Sequence, residues 1–120
     1  MSSLGQELRS LRERSGWSQQ TVGDLANISL QTVAAVEADD CNWSSALRYA
    51  TAMGRRLLIH APRSRKQTAA MIAETTGLSI NTVARLMALT ARPDAVDLDV
   101  HLGSLQRYLD CTGGYVLVRR

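Results

Sequence analysis

An eight-residue stretch occurs twice in this chain, and it constrains the fold more than any other feature. Residues 29–36 read SLQTVAAV, and residues 79–86 read SINTVARL. Each copy follows a similar ten-residue segment, residues 18–27 in the first case and 68–77 in the second. The apolar residues recur at helical spacing, so the repeated unit is predicted to be a helix, a tight turn and a second helix.

The residues at the predicted turns support this interpretation. Asn27 and Gly77 occupy equivalent positions, and these residue types adopt a left-handed backbone most readily. The first helix of each pair should therefore end there. Ser29 and Ser79 follow at once and are favourable N-caps for the second helices. Gly23 is small enough to let the second helix of its pair cross closely.

The first half resembles the Cro- and phage-repressor-like helix-turn-helix proteins, often called the XRE family. In the second half the resemblance is looser, because Ala69 stands where the first half has Gln19, and Met87 stands where it has Glu37. The resemblance implies a sequence-specific DNA-binding transcriptional regulator from a bacterium or phage. It is carried by Leu8, Arg9, Ser10, Leu11, Arg12, Gly16, Trp17, Ser18, Gln19, Ile28, Ser29, Thr32, Val33 and Glu37.

The predicted fold class is mainly α, with two lambda-repressor-like helix-turn-helix units in tandem, each ending in a short β-strand. The proposed units are residues 1–60 and 68–120, joined by a basic linker at 61–67. Predicted helices cover about 4–14, 18–26, 29–37, 68–76 and 79–89, with a further helix carrying Trp43, Leu47, Ala50 and Met53, a turn at 90–94, and a last helix carrying Leu98, Leu102, Leu105 and Leu109.

The ends of the two units match each other with an offset of 59 residues instead of 50. Arg48-Tyr49 corresponds to Arg107-Tyr108, and Leu57-Leu58-Ile59 corresponds to Val116-Leu117-Val118. The matching apolar triplets are predicted strands, and two strands without other partners are expected to pair as an antiparallel ribbon. Pairing within one chain would relate the units by a pseudo-two-fold axis, whereas pairing between chains would make a homodimer; the first is slightly favoured.

Composition limits the class of protein. The 120 residues contain two cysteines and no apolar run of the roughly 20 residues that a membrane span needs, so a reduced, cytoplasmic protein is expected. Residues 1–60 carry six basic and six acidic side chains, and residues 61–120 carry eight and five. The basic excess therefore lies in the second half, and purely electrostatic coating of nucleic acid is disfavoured.

The outward residues of the two second helices are candidates for contacts with DNA bases. Gln31 and Asn81 are suited to bidentate contact with adenine, and Arg85 to guanine. Apolar side chains on the same faces suit thymine methyl groups; these are Leu30, Ala34, Ala35 and Ile80. Phosphate contacts are predicted for residues at the starts of helices and in the linker, where capping or solvation is the alternative: Ser18, Gln19, Ser29, Thr32, Thr68, Ser79, Thr82, Arg63, Arg65 and Lys66.

Other chemistry has weaker support. Cys41, Cys111, His60 and His101 lack the paired spacing of a zinc site. Asp94, Asp97 and Asp99 precede a predicted helix and are interpreted as its caps and first-turn acids. No nucleophile and base pair, phosphate-binding loop or cofactor motif is present, so neither an enzyme nor a cofactor or metal is predicted.

The sequence thus favours a repressor or autorepressor that reads an inverted-repeat operator with two recognition helices. The alternative is an antitoxin-like, plasmid or phage adaptor that binds a partner protein, such as a toxin, with DNA binding secondary. An enriched DNA sequence would favour the first, and a copurifying stoichiometric protein would favour the second.

Overall fold

The computed structural model describes residues 3–60, 67–92 and 99–120, and these fold into a mainly helical structure with one two-stranded sheet. No described helix combines the length and apolar composition that a membrane crossing requires. In chain order the elements are α1 (Leu4–Arg14), α2 (Gln19–Ala26), α3 (Leu30–Glu37), α4 (Trp43–Ala52), β1 (Arg56–His60), α5 (Ala69–Thr76), α6 (Ile80–Ala91), α7 (Leu102–Thr112) and β2 (Tyr115–Arg119).

Both predicted helix-turn-helix pairs, α2 with α3 and α5 with α6, are confirmed together with the residues expected to shape them. Asn27 ends α2 with a φ of 57°, and Gly77 ends α5 with a φ of 76°, both in the left-handed region. The Ser29 and Ser79 hydroxyls accept hydrogen bonds from backbone amides in the first turns of α3 and α6. Each pair is therefore defined by local backbone chemistry before any tertiary contact is considered.

A close crossing holds α1 against the end of α3. A Cβ atom at Gly5 would lie 2.5 Å from the carbonyl oxygen of Val36 and 2.7 Å from that of Glu37. The Gly5 amide also donates a 2.8 Å hydrogen bond to the Asp39 carboxylate, just beyond α3. Backbone atoms cannot rotate away as a side chain can, so this crossing requires glycine.

Gly5→Ala is therefore expected to lower the free energy of unfolding by about 1–3 kcal/mol through overpacking. Alanine's better helix propensity offsets at most about 1 kcal/mol of that loss. Urea unfolding at constant m-value measures the change. Ser10→Ala, on the exposed side of the same helix, is the control and should stay within about 0.5 kcal/mol of wild type. Equal midpoints for both variants would contradict the close crossing.

The two strands pair within the chain as an antiparallel ribbon, which was the slightly favoured alternative. Leu58 pairs directly with Leu117, its counterpart at an offset of 59 residues. On either side the pairs are reciprocal, since Leu57 faces Val118 and Ile59 faces Val116. A local two-fold axis therefore passes through the Leu58–Leu117 pair.

A second junction between the halves has the same symmetry. Asn42, just before α4, forms an isolated antiparallel bridge with His101, just before α7, and these residues are again 59 apart. The Trp43 amide donates to the Val100 carbonyl at 2.7 Å, and the Leu102 amide donates to the Cys41 carbonyl at 2.8 Å. These two hydrogen bonds exchange places under the offset, so the same two-fold relation holds at both junctions.

One hydrophobic cluster includes buried residues of both halves. Its helix α4 contributes Trp43, Ala46, Tyr49 and Ala50, whereas the predicted Leu47 and Met53 are only partly buried at the edge. The predicted stripe of α4 was therefore shifted, because the inward face follows the contact with α2 and β1 instead of the longest apolar side chains.

Two predicted boundaries in the second half were wrong. Helix α6 continues to Ala91, although a turn was predicted from residue 90. Helix α7 begins at Leu102, not near Leu98, because the preceding residues pair with the loop before α4 instead of extending the helix. The rest of the predicted turn, Leu98 and most of the predicted linker lie outside the described residues, at 93–98 and 61–66.

Candidate nucleic-acid interface

Helix α3 presents a compact set of outward residues. Val33 and Val36 are fully buried beneath it, which turns the opposite face to solvent. Leu30 is 50% exposed, Gln31 is exposed, and Ala35 is half-buried at the margin. An apolar side chain this exposed at a helix start is suited to an apolar surface outside the protein, such as a thymine methyl group.

Helix α6 presents the equivalent face of the second pair. Its inward residues, Val83 and Leu86, are fully buried. Ile80 is 57% exposed, and Asn81 and Arg85 are exposed as well. The structure thus brings the predicted base-contacting residues of each unit together on one helical face, with the same positions outward in both.

The predicted phosphate-contacting hydroxyls act as helix caps in this structure. Ser18, Ser29, Thr68 and Ser79 each accept a hydrogen bond from a backbone amide within the first turn of the helix that follows. All four residues are exposed at the helix N-termini, where amides and the helix dipole favour an anion. The Thr32 and Thr82 hydroxyls lie 2.8 Å from those of Ser29 and Ser79.

Gln19 has a different environment from the other predicted phosphate contacts. Its side-chain amide donates a 3.3 Å hydrogen bond to Glu37 at the end of α3. The residue is half-buried, so Glu37 orients its amide group. Arg63, Arg65 and Lys66, predicted to track the phosphate backbone, lie outside the described residues.

Glu37 is the centre of a buried polar network that ties the first unit together. Arg12 from α1 donates two hydrogen bonds to its carboxylate, at 2.9 Å and 3.2 Å, and Tyr49 from α4 donates a third at 2.7 Å. Only 6% of the Glu37 side chain and 10% of the Arg12 side chain are exposed. Arg12 also donates to the Trp17 carbonyl at 2.9 Å. The network positions α2 and α3 relative to α1 and α4.

The protonation of Glu37 is set by two opposing effects. Burial raises the pKa of its carboxyl, but the hydrogen bonds from Arg12, Tyr49 and Gln19 together lower it by more, so the pKa falls below the ordinary value of 4.5. The same arrangement raises the pKa of Tyr49, first through burial and then through the adjacent carboxylate. Glu37 is therefore ionised and Tyr49 protonated at neutral pH.

Acid should destabilise the fold through Glu37. Its pKa is lower in the folded chain, so the unfolded chain binds more protons just below pH 4.5. The stabilisation from this carboxylate is then complete above the unfolded pKa and is lost as the pH falls through the folded one. We expect Glu37→Gln to reduce the loss of unfolding free energy between about pH 6 and about pH 3.

Urea unfolding across that pH range measures the difference between variant and wild type. Glu13→Gln is the matched control, because Glu13 is about half exposed and pairs with Arg9 at the surface, where an ion pair contributes little. A wild-type pH slope in Glu37→Gln would show that this carboxylate does not carry the acid sensitivity.

Three further predictions concern the junction. Asp99 was expected to cap the helix that follows it, which was wrong: its carboxylate accepts from the Ser44 amide at 3.0 Å and the Ser44 hydroxyl at 2.9 Å, at the start of α4. His101 instead caps α7 by accepting from the Gly103 amide. Among the described residues no three His, Cys, Asp or Glu are placed to hold a metal.

The cysteines are free thiols, Cys41 buried and Cys111 half-buried. Burial, followed by the charges of Asp39, Asp40 and Asp99, raises the pKa of Cys41 to about 12. The thiol is therefore protonated and unreactive at neutral pH.

A shallow open cleft of about 290 Å³ lies beside α3. Gln31, Thr32 and Ala35 line one side of it, and the loop before α4 lines the other, together with His101 from the second half. The His101 ring lies 3.1 Å from the Asp40 carboxylate, whose side chain is 83% exposed. The junction between the halves thus adjoins the outward face of α3. Sequence reasoning did not assign His101 or Asn42 to this face, although the offset of 59 that relates them was visible.

Comparison with protein families gives one match. Residues 3–55, which contain α1 to α4, match the family model described as a helix-turn-helix domain. No curated protein and no solved structure matches the chain. The second pair, α5 with α6, lies outside the matched segment and rests on its geometry alone. Residues 3–55 are therefore a helix-turn-helix domain, the kind of domain that binds DNA.

Proposed function

We propose that this protein is a sequence-specific transcriptional regulator that binds an inverted-repeat operator as a single chain. The observation that carries the proposal is the two-fold relation at both junctions, the ribbon through Leu58 and Leu117 and the bridge between Asn42 and His101. An inverted repeat is read by two recognition elements related by a two-fold axis. Here one chain supplies both, where a typical helix-turn-helix regulator uses a dimer.

A tandem duplication accounts for this arrangement. The repeated segments 29–36 and 79–86 fold into the same helix with the same cap, and the residues that meet at the axis are counterparts. In a homodimer such contacts join identical residues of two subunits. After duplication and fusion, they join corresponding residues of one chain. The proposed units are residues 1–60 and 68–120.

The size of the molecule is compatible with two adjacent half-sites. The described residues extend 46 Å along the longest axis and 22 Å and 21 Å across it. Recognition helices that enter successive major grooves on one side of DNA lie about 34 Å apart. An axis of this length accommodates that spacing within one chain.

The proposed contacts follow from the outward faces. We assign base contacts to the outward residues of α3 and α6, and phosphate contacts to the exposed caps and first turns of the helices. A chain bound over a promoter would exclude polymerase, so repression needs no chemical step. The base-contact set is Leu30, Gln31, Ala35, Ile80, Asn81 and Arg85, and the phosphate-contact set is Ser18, Ser29, Thr32, Thr68, Ser79 and Thr82.

Selection from a random DNA pool tests the proposal, with the mass of the complex measured by light scattering. The expected result is an enriched inverted repeat bound by one chain of 13.1 kDa. Asn81→Ala with Arg85→Ala, both on the exposed face of α6, should remove one half-site from the consensus and leave the other. Two chains on a longer site would reject binding as a single chain. No enriched sequence would favour the adaptor that binds a partner protein.

A further inference from the structure

The outward faces of α3 and α6 are nearly the same in chemistry, with one exception. At an offset of 50 residues, Leu30 corresponds to Ile80 and Gln31 to Asn81, while position 34 and position 84 are both alanine. These three pairs offer the same contacts, apolar at the first and an amide at the second. The fourth outward pair, Ala35 and Arg85, differs both in charge and in reach.

The surroundings of the fourth pair increase that difference. Ala35 is half-buried beside the cleft that also contains the exposed carboxylate of Asp40. Arg85 is exposed on α6 and takes part in no ion pair with the described residues. An unpaired guanidinium on a recognition helix is free to bind guanine O6 and N7 in a bidentate manner. Ala35 offers only a methyl group, suited to thymine.

We propose that the operator is an asymmetric inverted repeat and that the protein binds it in one orientation only. The inference rests on the proposed function and specifies its DNA target. Both half-sites share the adenine read by Gln31 or Asn81 and the apolar contact of Leu30 or Ile80. Only the half-site under α6 carries the guanine read by Arg85, and the corresponding position under α3 is occupied by thymine.

A homodimer cannot make this distinction, because its two recognition helices are identical and its best site is symmetric. A duplicated chain can, because one substitution changes one half alone. The basic excess of residues 61–120 favours the same half for the tighter contact. The consequence is a polar complex, in which a fixed unit faces a fixed side of the operator.

Two substitutions that restore symmetry test the inference. Selection from a random pool is carried out with wild type, Ala35→Arg and Arg85→Ala. Wild type should enrich half-sites that differ at one position. Ala35→Arg should place guanine at that position in both half-sites, and Arg85→Ala should remove it from both. On the wild-type operator, changing that guanine should weaken wild type about 5- to 140-fold, equivalent to about 1–3 kcal/mol, and should not weaken Arg85→Ala.

Ser10→Arg is the control for added charge, because Ser10 is exposed on α1 and not on a recognition helix. It should leave the consensus unchanged. Circular dichroism checks the fold of Ala35→Arg, whereas Arg85→Ala changes only an exposed side chain and keeps the test valid if the first variant unfolds. Identical half-sites for wild type would overturn the asymmetry while leaving the proposed function intact. Failure to enrich any sequence would reject the proposed function itself.

Discussion

Replacement of Glu37 by methionine is expected to lower the free energy of unfolding by about 3–5 kcal/mol. The substitution removes the carboxylate that pairs with Arg12 and accepts from Tyr49 and Gln19. The Arg12 side chain is only 10% exposed, so its charge would remain buried with the Trp17 carbonyl as its remaining acceptor. An uncompensated buried charge costs far more than the loss of one hydrogen bond.

The chain itself suggests the control. Met87 occupies the equivalent position of α6, where it is partly buried against the core, so methionine is compatible with this place in the fold. The double variant Arg12→Met, Glu37→Met removes both charges and should recover much of the stability that the single variant loses. Urea unfolding of both variants measures the difference. A single variant within about 0.5 kcal/mol of wild type would mean that the network does not hold the first unit together.

Trp43→Ala is expected to lower the free energy of unfolding by about 3–5 kcal/mol. Trp43 is fully buried at the start of α4, and it is the largest side chain in the core. Its removal takes away apolar burial and leaves a cavity next to the junction between the halves, where its backbone amide donates to Val100. The surrounding helices cannot close that space without disturbing the junction.

Trp17→Ala is the matched comparison, since Trp17 is only half-buried and packs at the edge of the core. It should cost distinctly less than Trp43→Ala in the same urea titration, because the cost of truncation increases with burial. The residual tryptophan fluorescence reports unfolding in each variant. Equal losses for the two variants would contradict the central position of Trp43.

The interface could be predicted in part. The outward positions of α3 and α6 follow from helical spacing around Val33 and Val83, and the structure places them as expected. The environment of Gln19 could not be derived in the same way. Its amide is oriented by Glu37, which is 18 residues away, and hydrogen-bond partners between separate helices depend on how the helices pack. The same reason hid the capping of α4 by Asp99, across 55 residues.

The sequence by itself determined the two helix-turn-helix pairs. Their signals are local, because a left-handed residue at Asn27 or Gly77 and a capping serine two residues later act within one turn of backbone. The tertiary structure alone decided how the halves meet. Pairing of Leu58 with Leu117, and of Asn42 with His101, joins residues 59 apart. Backbone hydrogen bonding there is satisfied by either partner strand, in this chain or another, so only the packing of the whole core selects the intramolecular pairing.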